Sequence, residues 1–474
     1  MKYWTVILGI ALLTGAGCAR FQPQPLSADK SAAQLEARRL DDPGLKQFFA
    51  RTTGHAPETW PLAHWDFNSL TIAAFYFHPS LEVARAQWLV ASGGIKTAAA
   101  RPNPSVSVNP AYDTQIPGNY SPWLVPVTLD IPIETAGKRG KRMAEAEKVA
   151  ESARWNFVSA AWQIRSGVRA ALLDFKTADR RAGLLQKQSE AQEQITHLLQ
   201  QSFEAGEISR PELTTAQMAY NKTELDLTDA RSKRADAHSR LAGALGLSEA
   251  ALADIQFDPE IAAPDVNHLT SADARRIALR SRADILAALA DYAAAEADLR
   301  LEIARQYPDL HLGPGYAWNN GNAGDNQWSL GVTLELPILD QNQGPIAEAA
   351  ARRKLAAAKF LELQAQVIGQ IDRAVAGWQS AQAQMKTAAE LFAAAERQQK
   401  SVTAQIQAGA ATRQDSAAAE IDLASVRLAQ LDSEMQAQTA LGALEDALQS
   451  PADAIATVIK AISTDSPKEK DFQP

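Results

Sequence analysis

The chain has 474 residues, 55 of them acidic and 47 basic, for a net charge of -8. That acidic balance argues against nucleic acid as the main partner, because phosphate binding needs a surplus of clustered Lys and Arg. One cysteine excludes a disulfide framework and a cysteine-rich metal site, and seven scattered histidines give metal catalysis no foothold and no metal path. In chain order, Met1 and Lys2 precede an apolar run from Tyr3 to Leu13 and small residues Thr14 to Gly17 ahead of Cys18. That is the layout of a signal peptide over 1–17, too short to span a bilayer and stay. Beyond it no run of about 18 apolar residues occurs, so a membrane span would have to be a β-barrel.

The residues ahead of Cys18 resemble a bacterial lipobox, with Gly15 standing where that motif prefers Leu or Val. The resemblance implies acylation at Cys18 and a lipidated extension over 18–68, and Ala19 in place of an aspartate implies sorting to the outer membrane. The extension carries Trp60 and Trp65 and is expected to wrap the outside.

Two halves of the remaining chain align. Arg101, Pro104, Pro110 and Tyr112 match Arg305, Pro308, Pro314 and Tyr316 at one constant offset, and VTLDIPI from Val127 matches VTLELPI from Val332. The division is repeat 1 over 69–250, a linker over 251–268, repeat 2 over 269–450 and a tail over 451–474. Each repeat reads as helix, two strands, a long helix, a glycine turn and a returning helix. Strands are expected at about 104–112, 123–133, 308–318 and 327–338, because apolar residues alternate there: Trp123, Val125, Val127, Leu129 and Ile131, then Trp328, Leu330, Val332 and Leu334. A soluble sandwich would alternate likewise. Runs of about ten residues with terminal aromatics match a tilted membrane strand better. Four strands are too few to close a barrel, since membrane barrels begin at about eight, so the chain would have to oligomerise.

Ala150, Ala153, Phe157, Ala161, Ile164 and Val168 recur in steps of three and four, the seam of a coiled coil. No proline interrupts Lys138 to Ala205, which predicts a rod on the order of 100 Å long. Beside it, Ser209–Leu247 is expected to stack on one helix over Ser271–Ile303, and Arg413–Leu448 on Leu70–Ala100 beside a helix from Ile346 to Gln407. Gly206 and Gly409 suit chain reversals after long helices. Ser209 and Thr412 are N-cap candidates, with Glu212 and Asp415 in the first turn, where the helix dipole favours a carboxylate. Lys138, Arg139, Lys141 and Arg142 begin a helix, where positive charge opposes the dipole. Either they contact anionic inner-leaflet headgroups or they form a solvated cluster.

The helix LEVARAQWLVASGGIKTAAARPNPSVSV, the elbow VTLDIPIETAGKRGKR and the turns AGEISRPEL and AGAATRQDS resemble the outer-membrane efflux family of TolC-like channels, over about Leu70 to Ala447. The resemblance implies a mainly α fold with a membrane β-barrel portion. Long coiled-coil helices would form an α-barrel, and four strands per chain would contribute to a trimeric twelve-stranded barrel. It implies a homotrimer in the outer membrane that works with a periplasmic adaptor (membrane fusion protein) and an inner-membrane pump. The adaptor would dock at the tip formed by Gly206, Ser209, Glu212, Gly409, Thr412 and Asp415. The family often has a further aspartate where this chain has Ala418. The elbow is similar to members serving heavy-metal pumps, while drugs or other solutes fit the residues equally. No Gly-x-Ser-x-Gly elbow, His-Glu-x-x-His helix or Walker loop is present, so neither an enzyme nor a cofactor is expected. The competing reading is a lipid-anchored periplasmic coiled-coil scaffold or adaptor without pore activity.

Overall fold

A computed structural model describes residues 21–112, 114–115, 122–253, 255–258, 270–319, 327–449, 458–459 and 461–462. Cys18, the signal segment and most of the tail lie outside the described residues. The elements are α1 (Ala28–Glu36), α2 (Pro43–Thr53), α3 (Phe67–Phe77), α4 (Pro79–Ala99), β1 (Ser105–Val108), β2 (Ala111–Tyr112), β3 (Trp123–Ile133) and α5 (Lys138–Glu204). They continue with α6 (Arg210–Leu245), α7 (Ser271–Ser281), α8 (Ala283–Ala304), β4 (Leu310–Asn319), β5 (Gln327–Leu334), α9 (Gln343–Gln407) and α10 (Arg413–Leu448). The fold is mainly helical, with the strands gathered in one sheet.

Two rods dominate, α5 with 67 residues and α9 with 65, each on the order of 100 Å long. Phe157, Ala161, Ile164, Val168 and Leu172 form a buried stripe on α5, so small and branched side chains alternate along the seam and let neighbouring helices approach closely. α6 packs along the tip half of α5, and α4 and α8 along the sheet half; α10 and α8 divide α9 in the same way.

The end-to-end stacking differs from the sequence expectation. α6 ends on α4 of its own repeat: a Cβ on Gly246 would lie 2.9 Å from the His78 Cα and 3.0 Å from the Phe77 carbonyl. Arg38 Nη1 donates to the Phe77 and Gly246 carbonyls at 2.5 and 3.2 Å, tying the two helix ends together. α10 likewise ends on α8, where Ser281 Oγ donates to the Leu448 carbonyl at 3.0 Å and Arg282 Nη1 to the Ala447 carbonyl at 2.9 Å. Length does not decide between the two arrangements, since α4 and α8 have 21 and 22 residues; the contacts at the two joints do.

The expected single helix over Ser271–Ile303 is also broken. Arg282 adopts extended ψ 127, as His78 does with ψ 120 in the first repeat. Pro79 forces the first break, since the residue before proline is pushed out of the α region. The second is held by Arg282, whose guanidinium also grips Asp284 at 2.6 and 3.0 Å.

The sheet runs β1–β3–β4–β5, all antiparallel, with β2 also on β3. Asn109 and Pro110 divide the first strand into β1 and β2. The fourth strand stops at Leu334 rather than 338, because β4 begins opposite it at Leu310 and Pro337 has no N–H to offer a ladder.

The core sits at mid-height, where the extension is part of it. Trp65 is 1% exposed; its N–H donates to the Gln256 carbonyl and its carbonyl accepts from the Asp258 N–H, at 2.9 and 3.0 Å. Val458, Ile459 and Ile462 join the same cluster.

Candidate functional site

Directly opposed strand residues share a face. Val106 opposes Leu129, Val127 opposes Tyr316, Ile131 opposes Leu312, and Leu312 opposes Val332, so one face is continuously apolar. The other carries Ser107 against Thr128, Thr128 against Gly315, Gly313 against Gly331 and His311 against Thr333. Among the described residues no element covers the apolar face: Trp328 is 82% and Leu330 71% exposed. Tyr112 packs on Trp123 with ring centroids 5.1 Å apart, and Tyr316 on Trp328 at 4.7 Å, a belt at the end far from the helices. On the polar face His311 Nδ1 lies 3.1 Å from both oxygens of Asp130, a pairing across 181 residues that pattern reading could not find.

The basic elbow is compensated from within. Arg139 Nε donates to the Ala99 carbonyl at 2.7 Å, and Arg142 Nε and Nη2 to those of Ala98 and Ala100 at 2.9 and 3.0 Å. These are the orphan carbonyls at the negative end of α4, so the cations that oppose one helix dipole satisfy another. Arg142 also pairs with Glu134 at 2.7 Å, and Lys141 Nζ donates to the Ala136 carbonyl at 2.6 Å. Lys138 departs from the headgroup expectation: it is 8% exposed and turns inward to Asp309 at 2.8 Å. Burial opposes ionisation of Asp309, yet bonds from Lys138 Nζ and the Thr135 N–H hold its carboxyl below the usual range. In the second repeat Asn342 takes the place of the basic elbow, its Nδ2 donating to the Glu302 carbonyl and carboxylate at 2.8 Å.

At the far end both glycine turns have the same build. Gly206 and Gly409 sit at φ 76 and 73, the left-handed region that glycine enters without a Cβ penalty. The Glu207 N–H donates to the Ser202 carbonyl and the Gly206 N–H to that of Phe203; Ala410 and Gly409 repeat this on Gln405 and Ile406. These paired bonds close the last carbonyls of each rod. Glu212 Oε2 accepts from the Ser209 N–H at 2.9 Å. Asp415 Oδ2 accepts from the Thr412 N–H and Oγ1, both at 2.7 Å, which keeps the Asp415 carboxyl below its ordinary range. The six tip residues thus cap two neighbouring hairpins.

Between the hairpins runs a seam of α5 against α10. At mid-height Glu445 Oε2 accepts from Arg165 and Arg169, both at 3.0 Å, with all three side chains buried. Arg165 also stacks 4.9 Å from the Phe67 ring centroid. Burial pushes the neighbouring Asp446 carboxyl up, against the pull of Ser166 and of Arg165, Arg169 and Arg282. Toward the tip, Arg180–Glu434 at 3.6 Å and Arg181–Asp432 continue the seam. Below them opens a cavity of about 550 Å³ lined by Glu193, His197, Ile406, Ser416 and Glu420. The sequence signal for the buried trio was two arginines four apart beside the seam positions Ile164 and Val168. Among the described residues no three His, Cys, Asp or Glu side chains converge as a metal site, and no helix is long and apolar enough to cross a membrane.

The family model for outer membrane efflux proteins matches residues 76–247 and 274–449. The cobalt-zinc-cadmium resistance protein CzcC of Cupriavidus metallidurans is 27% identical over 273 residues, which is 57% of this chain and 62% of that relative's length. The match therefore spans less than two thirds of that relative. Among solved structures, the outer membrane protein VceC of Vibrio cholerae superposes with a TM-score of 0.65 at 21% identity, covering 82% of this chain and 99% of that one. The Campylobacter jejuni CmeC outer membrane channel does so with a TM-score of 0.61 at 14% identity, covering 94% and 98%. At these identities the likeness concerns the fold.

Proposed function

The chain belongs to the outer membrane efflux protein family, and on that premise we propose that it is the outer-membrane duct of a tripartite efflux system, a homotrimer through which solute passes passively from periplasm to exterior. The observation that carries this reading is the sheet. Among the described residues its outer strands β1 and β5 have no partner on one side and its apolar face lies bare, an arrangement that aggregates in water unless both features are covered. Pairing β1 of one copy with β5 of the next removes every edge, and three copies then make a twelve-stranded barrel whose apolar face meets lipid. Exposed Val83 and Val90 on α4, with Leu355 and Leu361 on α9, give the rods matching flanks for neighbouring copies.

Cys18 anchors the chain by acyl groups, and the extension runs from that anchor to the mid-height core. Half-buried Arg139, Lys141 and Arg142 lie beside the inner leaflet in this arrangement, with Lys138 kept for Asp309. The tip residues Gly206, Ser209, Glu212, Gly409, Thr412 and Asp415 form the surface on which the periplasmic adaptor docks. Opening is a shift of the hairpins along the α5–α10 seam when the adaptor binds, with energy supplied by the inner-membrane pump. The relative's name makes cobalt, zinc and cadmium ions the cargo to test first. Purified full-length protein should run as a detergent-resistant trimer and give stepwise currents in planar bilayers. A monomer without conductance would overturn the duct and favour the lipid-anchored scaffold.

A further inference from the structure

The polar face of the sheet is chemically plain. Beside the apolar Leu124, Pro126, Pro132 and Ala317 it offers hydroxyls, as at Ser107 and Thr128, or bare glycine, as at Gly313 and Gly331. Against that background the described residues place one imidazole–carboxylate pair, His311 with Asp130, both side chains half exposed. A carboxylate only accepts hydrogen bonds, so in the neutral ring Nδ1 carries the proton and Nε2 keeps its lone pair. Among the described residues nothing else bonds the ring. Histidines that ligate metal are held in this way, the distal N–H bound to a carboxylate that fixes the tautomer, orients the ring and raises its basicity.

We infer that His311 Nε2 is a ligand for borderline divalent cations of the zinc class, presented to the bore of the barrel with Asp130 as its positioning residue. The inference rests on the reading of the polar face as the bore. With no third ligand converging, the bound ion keeps most of its water and exchanges quickly, which suits a transit point and not a store. Hard cations such as calcium prefer oxygen cages and gain little from one imidazole.

The test is diethyl pyrocarbonate labelling of the full-length protein in detergent, read by mass spectrometry, with and without zinc chloride. Zinc should protect His311 while exposed His55 continues to label, and calcium at the same concentration should protect neither. Asp130→Asn should need roughly tenfold more zinc for half-protection, the usual cost of losing an outer-shell partner. In planar bilayers zinc should reduce the current of the wild type and leave His311→Gln unaffected. Equal labelling of His311 with and without zinc, or the same zinc requirement in the Asp130 variant, overturns the inference. Zinc-insensitive current does so too while keeping the duct, whereas protected His311 without any current removes the duct and keeps the ligand.

Discussion

Leu330 and Ser329 are neighbours near the middle of β5, and the barrel reading gives them opposite surroundings. Leu330 opposes Pro314 on the apolar face, whereas Ser329 opposes Gly315 on the polar one. Leu330→Arg would place a guanidinium in hydrocarbon, which costs about 2–4 kcal/mol near the midplane of a membrane barrel. Threefold symmetry repeats the substitution in each copy, so the assembled ring loses on the order of 6–12 kcal/mol, comparable with the whole stability of an ordinary domain. Ser329→Arg puts the same charge into water, beside glycine rather than a bulky neighbour, and costs under about 1 kcal/mol per copy. The assay is the fraction of each variant recovered as heat-labile, detergent-resistant trimer from outer membranes, followed by its dissociation temperature. Leu330→Arg should leave little trimer and Ser329→Arg nearly the wild-type amount. Equal tolerance at both sites would refute the assignment of faces, because a water-exposed sheet has no reason to distinguish them.

Glu445→Gln leaves Arg165 and Arg169 buried without their carboxylate. It should cost about 3–5 kcal/mol, lowering the unfolding midpoint by on the order of 5 °C, while the triple replacement Arg165→Met, Arg169→Met, Glu445→Leu recovers most of the loss; a midpoint unchanged by Glu445→Gln refutes the ion trio. Gly206→Ala and Gly246→Ala meet the same left-handed backbone at φ 76 and 72, a cost of about 1 kcal/mol each. Only Gly246 has backbone within 3.0 Å of the new Cβ, so its variant should melt clearly lower, and equal melting in a thermal scan would contradict the stacked joint. Burial raises the Asp446 carboxyl above its ordinary value of 3.8. Its contribution is therefore present below that value and lost as pH rises through the folded-state value, so Asp446→Asn should gain on the wild type in thermal stability between pH 4 and 7, as no gain would show the charge to be well solvated.

The rods, the turns and the alternating strands were legible because each depends on residues within a few positions of one another: the Ala150–Phe157–Ala161 seam, the Trp123–Val125–Val127 alternation, the glycine at each turn. The stacking order was not. Both joints are built from backbone groups and from single cations far away in sequence, Arg38 lying 39 and 208 residues from the two carbonyls it joins. The break at Arg282 had no proline to announce it, and its cause is a contact with the end of α10. The elbow cations were visible, but their partners were helix-terminal carbonyls of α4, groups that every residue carries and no composition reveals. His311 and Asp130 read as a scattered histidine and a strand carboxylate until the β3–β4 register brought them together.

One chain presents four units of wall at every height: α5, α6, α9 and α10 near the tip, α4, α5, α8 and α9 above mid-height, and four strand lines in the sheet. In the proposed ring of three copies the count is twelve throughout, yet the spacing changes. Twelve helices set roughly 9 Å apart close a circle about 35 Å across. Twelve strands roughly 4.8 Å apart and tilted by about 40° close one of about 24 Å. The sheet, not the helical wall, then sets the width of the fixed part of the path, and side chains narrow it further. An ion crossing that section passes within about 10 Å of an imidazole on one copy or another, a short diffusive step from the roughly 2 Å at which zinc and nitrogen bond. In the proposed ring, symmetry and this narrowing would set a histidine too sparse to build a site in one chain beside the path of any cation carried.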